Sequence, residues 1–188
     1  KVIGIDISPK TLGIGRKLAK IHGVSKLATF KTGDIQKLEY KDSSIDIVLG
    51  KAVLHHVNLP KAILEVHRVL KPGGRFVCWE TNFSLLNDWM RRIAKLTRRF
   101  SHLHKNFKRG ELLGMLKSAN LEVSQVYLHG ILSYPLAGFP DILDLRLPIW
   151  VGRWLMAIDD LLAKTPLKYL AFSVMMKATK PGESDVKS

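Results

Sequence analysis

The chain has 188 residues, 46% of them apolar, enough for one sizeable core and too few for two ordinary domains. Its single cysteine, Cys78, excludes an internal disulfide and a cysteine-based zinc site, and its place in the apolar run from Gly74 to Trp79 suits a reducing, cytoplasmic setting. Thirty Lys+Arg against 16 Asp+Glu give a formal charge of +14, which favours anionic partners or surfaces. No uncharged apolar run reaches the roughly 18 residues of a spanning helix, and no signal-peptide succession opens the chain.

Val2 to Asp6 reads as a buried strand ending in a carboxylate, and Pro9 to His22 as a helix with Ser8 as its N-cap. Leu27 to Thr32 is the next strand, stopping at Gly33-Asp34. A third strand covers Ile45 to Gly50, a helix Lys61 to Leu70, and a fourth strand Arg75 to Glu80 after the stop signal Lys71-Pro72-Gly73-Gly74. Strands alternating with helices predict an α/β fold with a mostly parallel sheet and helices on both faces. Beyond Glu80, Ser84 to Phe100 has the spacing of an amphipathic helix, Lys108 to Ser118 of a short helix, and Glu122 to His129 and Leu170 to Ala178 of strands. Gly130 to Lys168 is an apolar insertion expected to hold two short helices. The expected layout is one domain over 1–179, with insertions at 84–107 and 130–168, and a disordered tail at 180–188.

Ligands of open α/β sheets bind at the carboxyl ends of strands, where an acid can accept both hydroxyls of a ribose. Asp6 stands at such an end, although a surface or helix-capping acid there is equally ordinary. Asp34 follows a glycine at the next strand end, where a carboxylate can accept from an exocyclic amine or simply close a turn. Gly50-Lys51 ends the third strand, and three strand ends with ligand-suited groups make a candidate site.

The order of four segments resembles the class I S-adenosylmethionine-dependent methyltransferases, in particular the ubiquinone and menaquinone biosynthesis C-methyltransferases. The segments are Val-Ile-Gly-Ile-Asp-Ile-Ser (2–8), Thr-Gly-Asp-Ile-Gln-Lys-Leu (32–38), Ser-Ile-Asp-Ile-Val-Leu-Gly-Lys-Ala-Val-Leu-His-His-Val (44–57) and Glu-Val-His-Arg-Val-Leu-Lys-Pro-Gly-Gly-Arg (65–75). The resemblance implies a Rossmann-like fold and S-adenosylmethionine as cofactor. It implies that Asp6 binds the ribose with Ile7 on the adenine, that Gly33 belongs to the cofactor site and Asp34 meets the adenine amine with the Ile35 backbone at the ring, and that the backbone of Gly50 or Lys51 lies near the methionine part. The family's first strand and its glycine-rich turn have no counterpart, so the sequence reads as a fragment; Gly13 and Gly15 fall inside a helix instead.

His55 and His56 border the expected transfer site, where either could accept a proton or serve packing; Glu80 and His104 are further base candidates, and no spacing suggests a metal site. Trp89 to Gly110 holds eight Lys and Arg and no carboxylate. That segment reads as a solvated helix face, as a membrane-surface helix over 84–109, or, last in rank for want of interleaved aromatics, as a nucleic-acid contact. The expected activity is methyl transfer to a small lipophilic or membrane-associated acceptor. The alternative is a non-catalytic methyltransferase-like fold that binds an anionic membrane or RNA. Nothing in the sequence signals an oligomeric state.

Overall fold

The computed structural model describes residues 1–85, 88–89, 108–138 and 147–182. Strand β1 (Val2–Asp6) leads into helix α1 (Pro9–Ile21), then β2 (Ala28–Thr32), β3 (Ile45–Lys51), a 3-10 turn (Leu54–His56), α2 (Leu59–Val69) and β4 (Leu70–Thr81). After the basic segment come α3 (Arg109–Ser118), β5 (Glu122–His129), a π-turn (Tyr134–Gly138), α4 (Ile149–Leu162), a 3-10 turn (Pro166–Leu170) and β6 (Ser173–Thr179). Both early helices start where a side chain accepts from an otherwise unpaired amide: Ser8 Oγ from Thr11 N, and Asn58 Oδ1 from Lys61 N. This Asn58 cap starts α2 two residues earlier than the hydrophobic spacing suggests.

The strands form two ladders. β1 pairs in parallel with β2, while β3, β4, β6 and β5 form a second sheet in that order. β3 and β4 are parallel, and β6 runs antiparallel to both β4 and β5, so it is the reversed strand of an otherwise co-directional four. Among the described residues no ladder joins β1 to β3, and each keeps an unpaired edge. Apolar side chains on β3 stay open to solvent, Leu49 at 74% exposure.

The core lies where α2 and α3 pack on the four-stranded sheet. Ala62, Ile63 and Val66 of α2 and Leu112 and Leu116 of α3 meet Phe76, Cys78, Val174 and Met176, all buried. Their three-and-four spacing is what turns one helix stripe to the sheet. Burial, then the charge of nearby Glu80, pushes the Cys78 thiol up to about 12, so it is inert at neutral pH. In the smaller unit, the Phe30 ring fills a slot between Gly4 and Gly15. A Cβ at Gly15 would lie 2.6 Å from that ring, so Gly15 lets α1 pack closely on β2.

Other sequence expectations shift in detail. The Lys71-Pro-Gly-Gly stop signal becomes a bulge: Ile45 pairs with Leu70 and Ile47 with Arg75, and Gly73 takes φ +74° to let the four residues between them loop out. Lys180, expected at the start of a loose tail, is tied down. Its amide donates to Gly74 O, and its Nζ donates to the carbonyls of His67 and Leu70. The expected helix over Ser84 to Phe100 lies almost wholly outside the described residues, as do His104 and 183–188. Within the apolar insertion, α4 is a 14-residue helix flanked by the two short turns.

Arg68 fastens the two-stranded unit to the larger layer. From α2 it donates to the carbonyls of Leu38 and Tyr40 and to Asp42, while Glu65, which pairs with Arg68, accepts from Leu38 N at 2.9 Å. Replacing Arg68 with Met keeps the aliphatic stem and removes the fork. Arg68→Met should lower the urea midpoint of unfolding. An unchanged midpoint would mean that the segment 38–42 holds its place without Arg68.

Candidate functional site

The parallel register of β1 and β2 sets Asp6 opposite Thr32, two residues before Asp34, so the two acids sit at the carboxyl tips of neighbouring strands. Gly33 makes this closeness possible. Its amide donates to Asp6 O at 3.2 Å, and a Cβ there would come within 2.8 Å of Ile5 Cγ2. Asp6 Oδ1 accepts from Ser8 N at 2.7 Å, which orients the carboxylate ahead of α1. Asp6 therefore shapes the turn from its place at the strand tip. Ile7 beside it projects an apolar side chain into solvent at 73% exposure.

Asp34 is held by its own loop. Gln36 donates to it through its backbone amide at 2.8 Å and through its carboxamide Nε2 at 3.0 and 3.2 Å. The planar NH2 of Gln36 thus donates to both carboxylate oxygens of Asp34. Gln36 Oε1 in turn accepts from Asn58 N, linking this loop to the cap of α2. Ile35 packs against the main core and anchors the loop from below.

Gly50 and Lys51 end β3 in the other sheet, so the structure groups Asp6, Ile7, Gly33, Asp34 and Ile35 at one pair of strand tips and leaves Gly50 and Lys51 on a separate ladder. Gly50 is buried opposite Cys78, and the Lys51 ammonium lies 4.6 Å from the centre of the Trp79 ring. Directly after it the chain turns at Ala52 with φ +52°, a left-handed conformation that costs a non-glycine residue about 1 kcal/mol. Ala52 N donates to Trp79 O at 2.8 Å and holds that turn. No composition or spacing signal marks an alanine for this role.

The paired histidines divide. His55 is buried, its Nδ1 2.6 Å from Glu80 Oε2, and the other Glu80 oxygen accepts from the amides of Val53 and Leu54. Glu80, 1% exposed, is thus the carboxylate that organises the 3-10 turn after β3; it braces His55 from the core side. His56 is exposed. Partial burial, then the neighbouring His55, lowers its pKa against an opposing pull from Glu80, so it is neutral at physiological pH.

At the carboxyl ends of β4 and β5, Asn82, Phe83, Arg109, Gly110, Leu128 and Tyr169 line a hollow of about 190 Å³. It excludes every residue at the β1 and β2 tips. Arg109 stacks on Tyr169 at 5.0 Å, and the position of this pair, 60 residues apart in sequence, carried no prior signal. Among the described residues no cluster of three or more metal-ligating side chains occurs.

Compared with known proteins, residues 1–78 match the family described as Methyltransferase domain. The chain is 37% identical over 83 residues to a demethylmenaquinone methyltransferase of Symbiobacterium thermophilum, covering 44% of this chain and 33% of that protein. It is 38% identical over 79 residues to the ubiquinone/menaquinone biosynthesis C-methyltransferase UbiE of Bartonella bacilliformis, covering 40% of this chain and 30% of that one. The chain thus spans about a third of the length of these quinone methyltransferases. Among solved structures, a geranyl diphosphate methyltransferase in complex with S-adenosylmethionine aligns over 96% of this chain and 68% of its own, at TM-score 0.63 and 17% identity. The YcgJ protein of Bacillus subtilis aligns over 95% of this chain and 82% of its own, at TM-score 0.61 and 19% identity.

Three histidines carry a test of these environments. Burial lowers the pKa of His56, His67 and His129, with Lys180 adding to the effect at His67 and Asp159 and Asp160 opposing it at His129. A depressed folded pKa means that the stabilisation is complete above the unfolded value of about 6.5 and is lost as pH falls through the folded values. Urea midpoints should therefore drop between about pH 7.5 and pH 5.5; a midpoint that stays level or rises would contradict the burial assigned to these rings.

Residues 1–78 carry a methyltransferase-domain sequence on the fold of the class I S-adenosylmethionine-dependent methyltransferases, and the chain is similar to their ubiquinone and menaquinone C-methyltransferase group.

Proposed function

We propose that this protein transfers a methyl group from S-adenosylmethionine to a small lipophilic acceptor. The observation that carries the reading is the pair of carboxylates at adjacent parallel strand tips, Asp6 beside Ser8 and Asp34 beside Gln36. The donor chemistry fits the cofactor: Asp34 already takes a planar NH2 group from Gln36, as it would an adenine amine. Asp6 would accept from the ribose hydroxyls, and the exposed Ile7 would offer an apolar surface to the adenine.

The Ile35 backbone would border the ring, while the backbone at Gly50 and Lys51 would border the methionine portion. When bound, the cofactor would supply an electrophilic methyl group, its bond to sulfur breaking to leave S-adenosylhomocysteine, to an acceptor atom that loses a proton. The chain's task is to hold the two reactants in line and exclude water, which calls for few strong acids or bases. His55 is engaged by Glu80; His56, neutral at physiological pH, is the member of the pair suited to take up the proton.

The acceptor class rests on two supports. The segments 84–107 and 130–168 are rich in apolar residues beyond the strand ends, and relatives include demethylmenaquinone methyltransferases and mitochondrial 2-methoxy-6-polyprenyl-1,4-benzoquinol methylases. Peripheral contact of 84–109 with a membrane would bring such an acceptor within reach. No described helix is long and apolar enough to cross a membrane.

Isothermal titration with S-adenosylhomocysteine tests the reading. Asp6→Ala and Asp34→Ala should each weaken binding by about tenfold or more, the loss expected for charge-assisted hydrogen bonds. Affinity unchanged in both variants would remove the adenosine from these strand tips.

A further inference from the structure

We propose that α4 docks on the surface of an anionic lipid bilayer, lying flat with its outward stripe in the headgroup region. This surface is separate from the carboxylate tips, and its action does not depend on cofactor binding.

The helix has two unlike sides. Val151, Leu155, Asp159 and Leu162, at spacings of four, four and three, turn inward, and Asp159 is buried. Its carboxylate accepts from the amides of Ile131, Leu132 and Ser133 and from the Ser133 hydroxyl, which locks α4 against the end of β5. Rotating about 100° per residue from there, an uncharged stripe of Trp150, Trp154, Ala157, Ile158 and Leu161 lies beside the inward face, with the exposed Arg153 and Asp160 along its outer border. Trp150 is 65% exposed, Trp154 67% and Leu161 64%, and Ile149 at the helix start is 84% exposed.

Four large apolar side chains open to water along one stripe, Trp150, Trp154, Ile158 and Leu161, form a patch of the kind that marks an interaction surface. The charges around it choose among partners. From Ile149 to Leu170 the cations are Arg153, Lys164 and Lys168, while the acids are Asp159, engaged as above, and Asp160, which accepts from the Tyr127 hydroxyl at 2.6 Å. Lys168 and Arg109 also flank the exposed Tyr169 ring on the adjoining 3-10 turn, at 5.5 and 5.0 Å. From Ile149 to Leu170 the cations outnumber the acids by three to two, and the whole chain carries a formal +14.

A second copy would bring another +14 chain against it, and the like charges would oppose contact. An anionic bilayer satisfies both features: tryptophans favour the headgroup boundary, and the lysines and arginine meet lipid phosphates beside it.

The test uses the full chain and vesicles of phosphatidylcholine with about one-third phosphatidylglycerol, read by co-sedimentation and tryptophan emission. The wild type should sediment with these vesicles at low salt and shift its emission to shorter wavelength. The double variant Trp150→Ser/Trp154→Ser, whose sites are exposed, should keep its thermal melt and lose about tenfold or more in partition coefficient. Lys164→Glu/Lys168→Glu should weaken binding to anionic vesicles. Absence of binding by the wild type would overturn the proposal. So would equal binding by the tryptophan variant, which would place the contact on the basic segment, or a wild-type dimer that this variant abolishes. Titration with S-adenosylhomocysteine should be unchanged in the variant, so failure here is distinguishable from failure of the methyltransferase reading.

Discussion

The fold depends on a tether between two sheets that share no ladder among the described residues. β1 and β2 carry the candidate cofactor acids, whereas α2 and the core belong to the four-stranded sheet. The described hydrogen bonds that join them run through the segment after Asp34: Gln36 to Asn58, Leu38 to Glu65, and Arg68 to the carbonyls of Leu38 and Tyr40. Arginine suits this position because a planar fork can bond several acceptors at once, which a lysine ammonium cannot do with the same geometry. The position of Asp34 relative to β3 follows from that fastening, together with Ile35 packed into the core.

Buried carboxylates do comparable work elsewhere. Glu80 gathers two amides and His55 at the end of β4, and Asp159 gathers three amides and a hydroxyl at the end of β5. Each satisfies backbone donors that a turn leaves unpaired, so the loop conformations at the strand ends are set by charge-assisted hydrogen bonds. The rim of the sheet is therefore organised before any ligand arrives. That favours a site whose geometry is preformed.

Much of this was legible in the sequence because it depends on local periodicity. The strands at Val2 and Ile45, the helix capped by Ser8, and the carboxylate at the end of β1 are all read from short patterns. Sequence spacing failed where the deciding contact is distant. Nothing local distinguishes His55 from His56; Glu80, 25 residues away from His55, makes one a core residue and leaves the other exposed. Lys180 looked like the start of a polar tail because its acceptors, the carbonyls of His67 and Leu70, lie more than a hundred residues earlier. The outward stripe of α4 was visible only as an apolar insertion, since which side faces water is decided by the burial of Asp159.

The most direct test is a crystal structure of the protein with S-adenosylhomocysteine. The account predicts both ribose hydroxyls within about 2.5–3.2 Å of Asp6 and the adenine amine against Asp34. Adenosine bound instead in the hollow between Asn82 and Tyr169, with Asp6 and Asp34 making no contact to it, would contradict it.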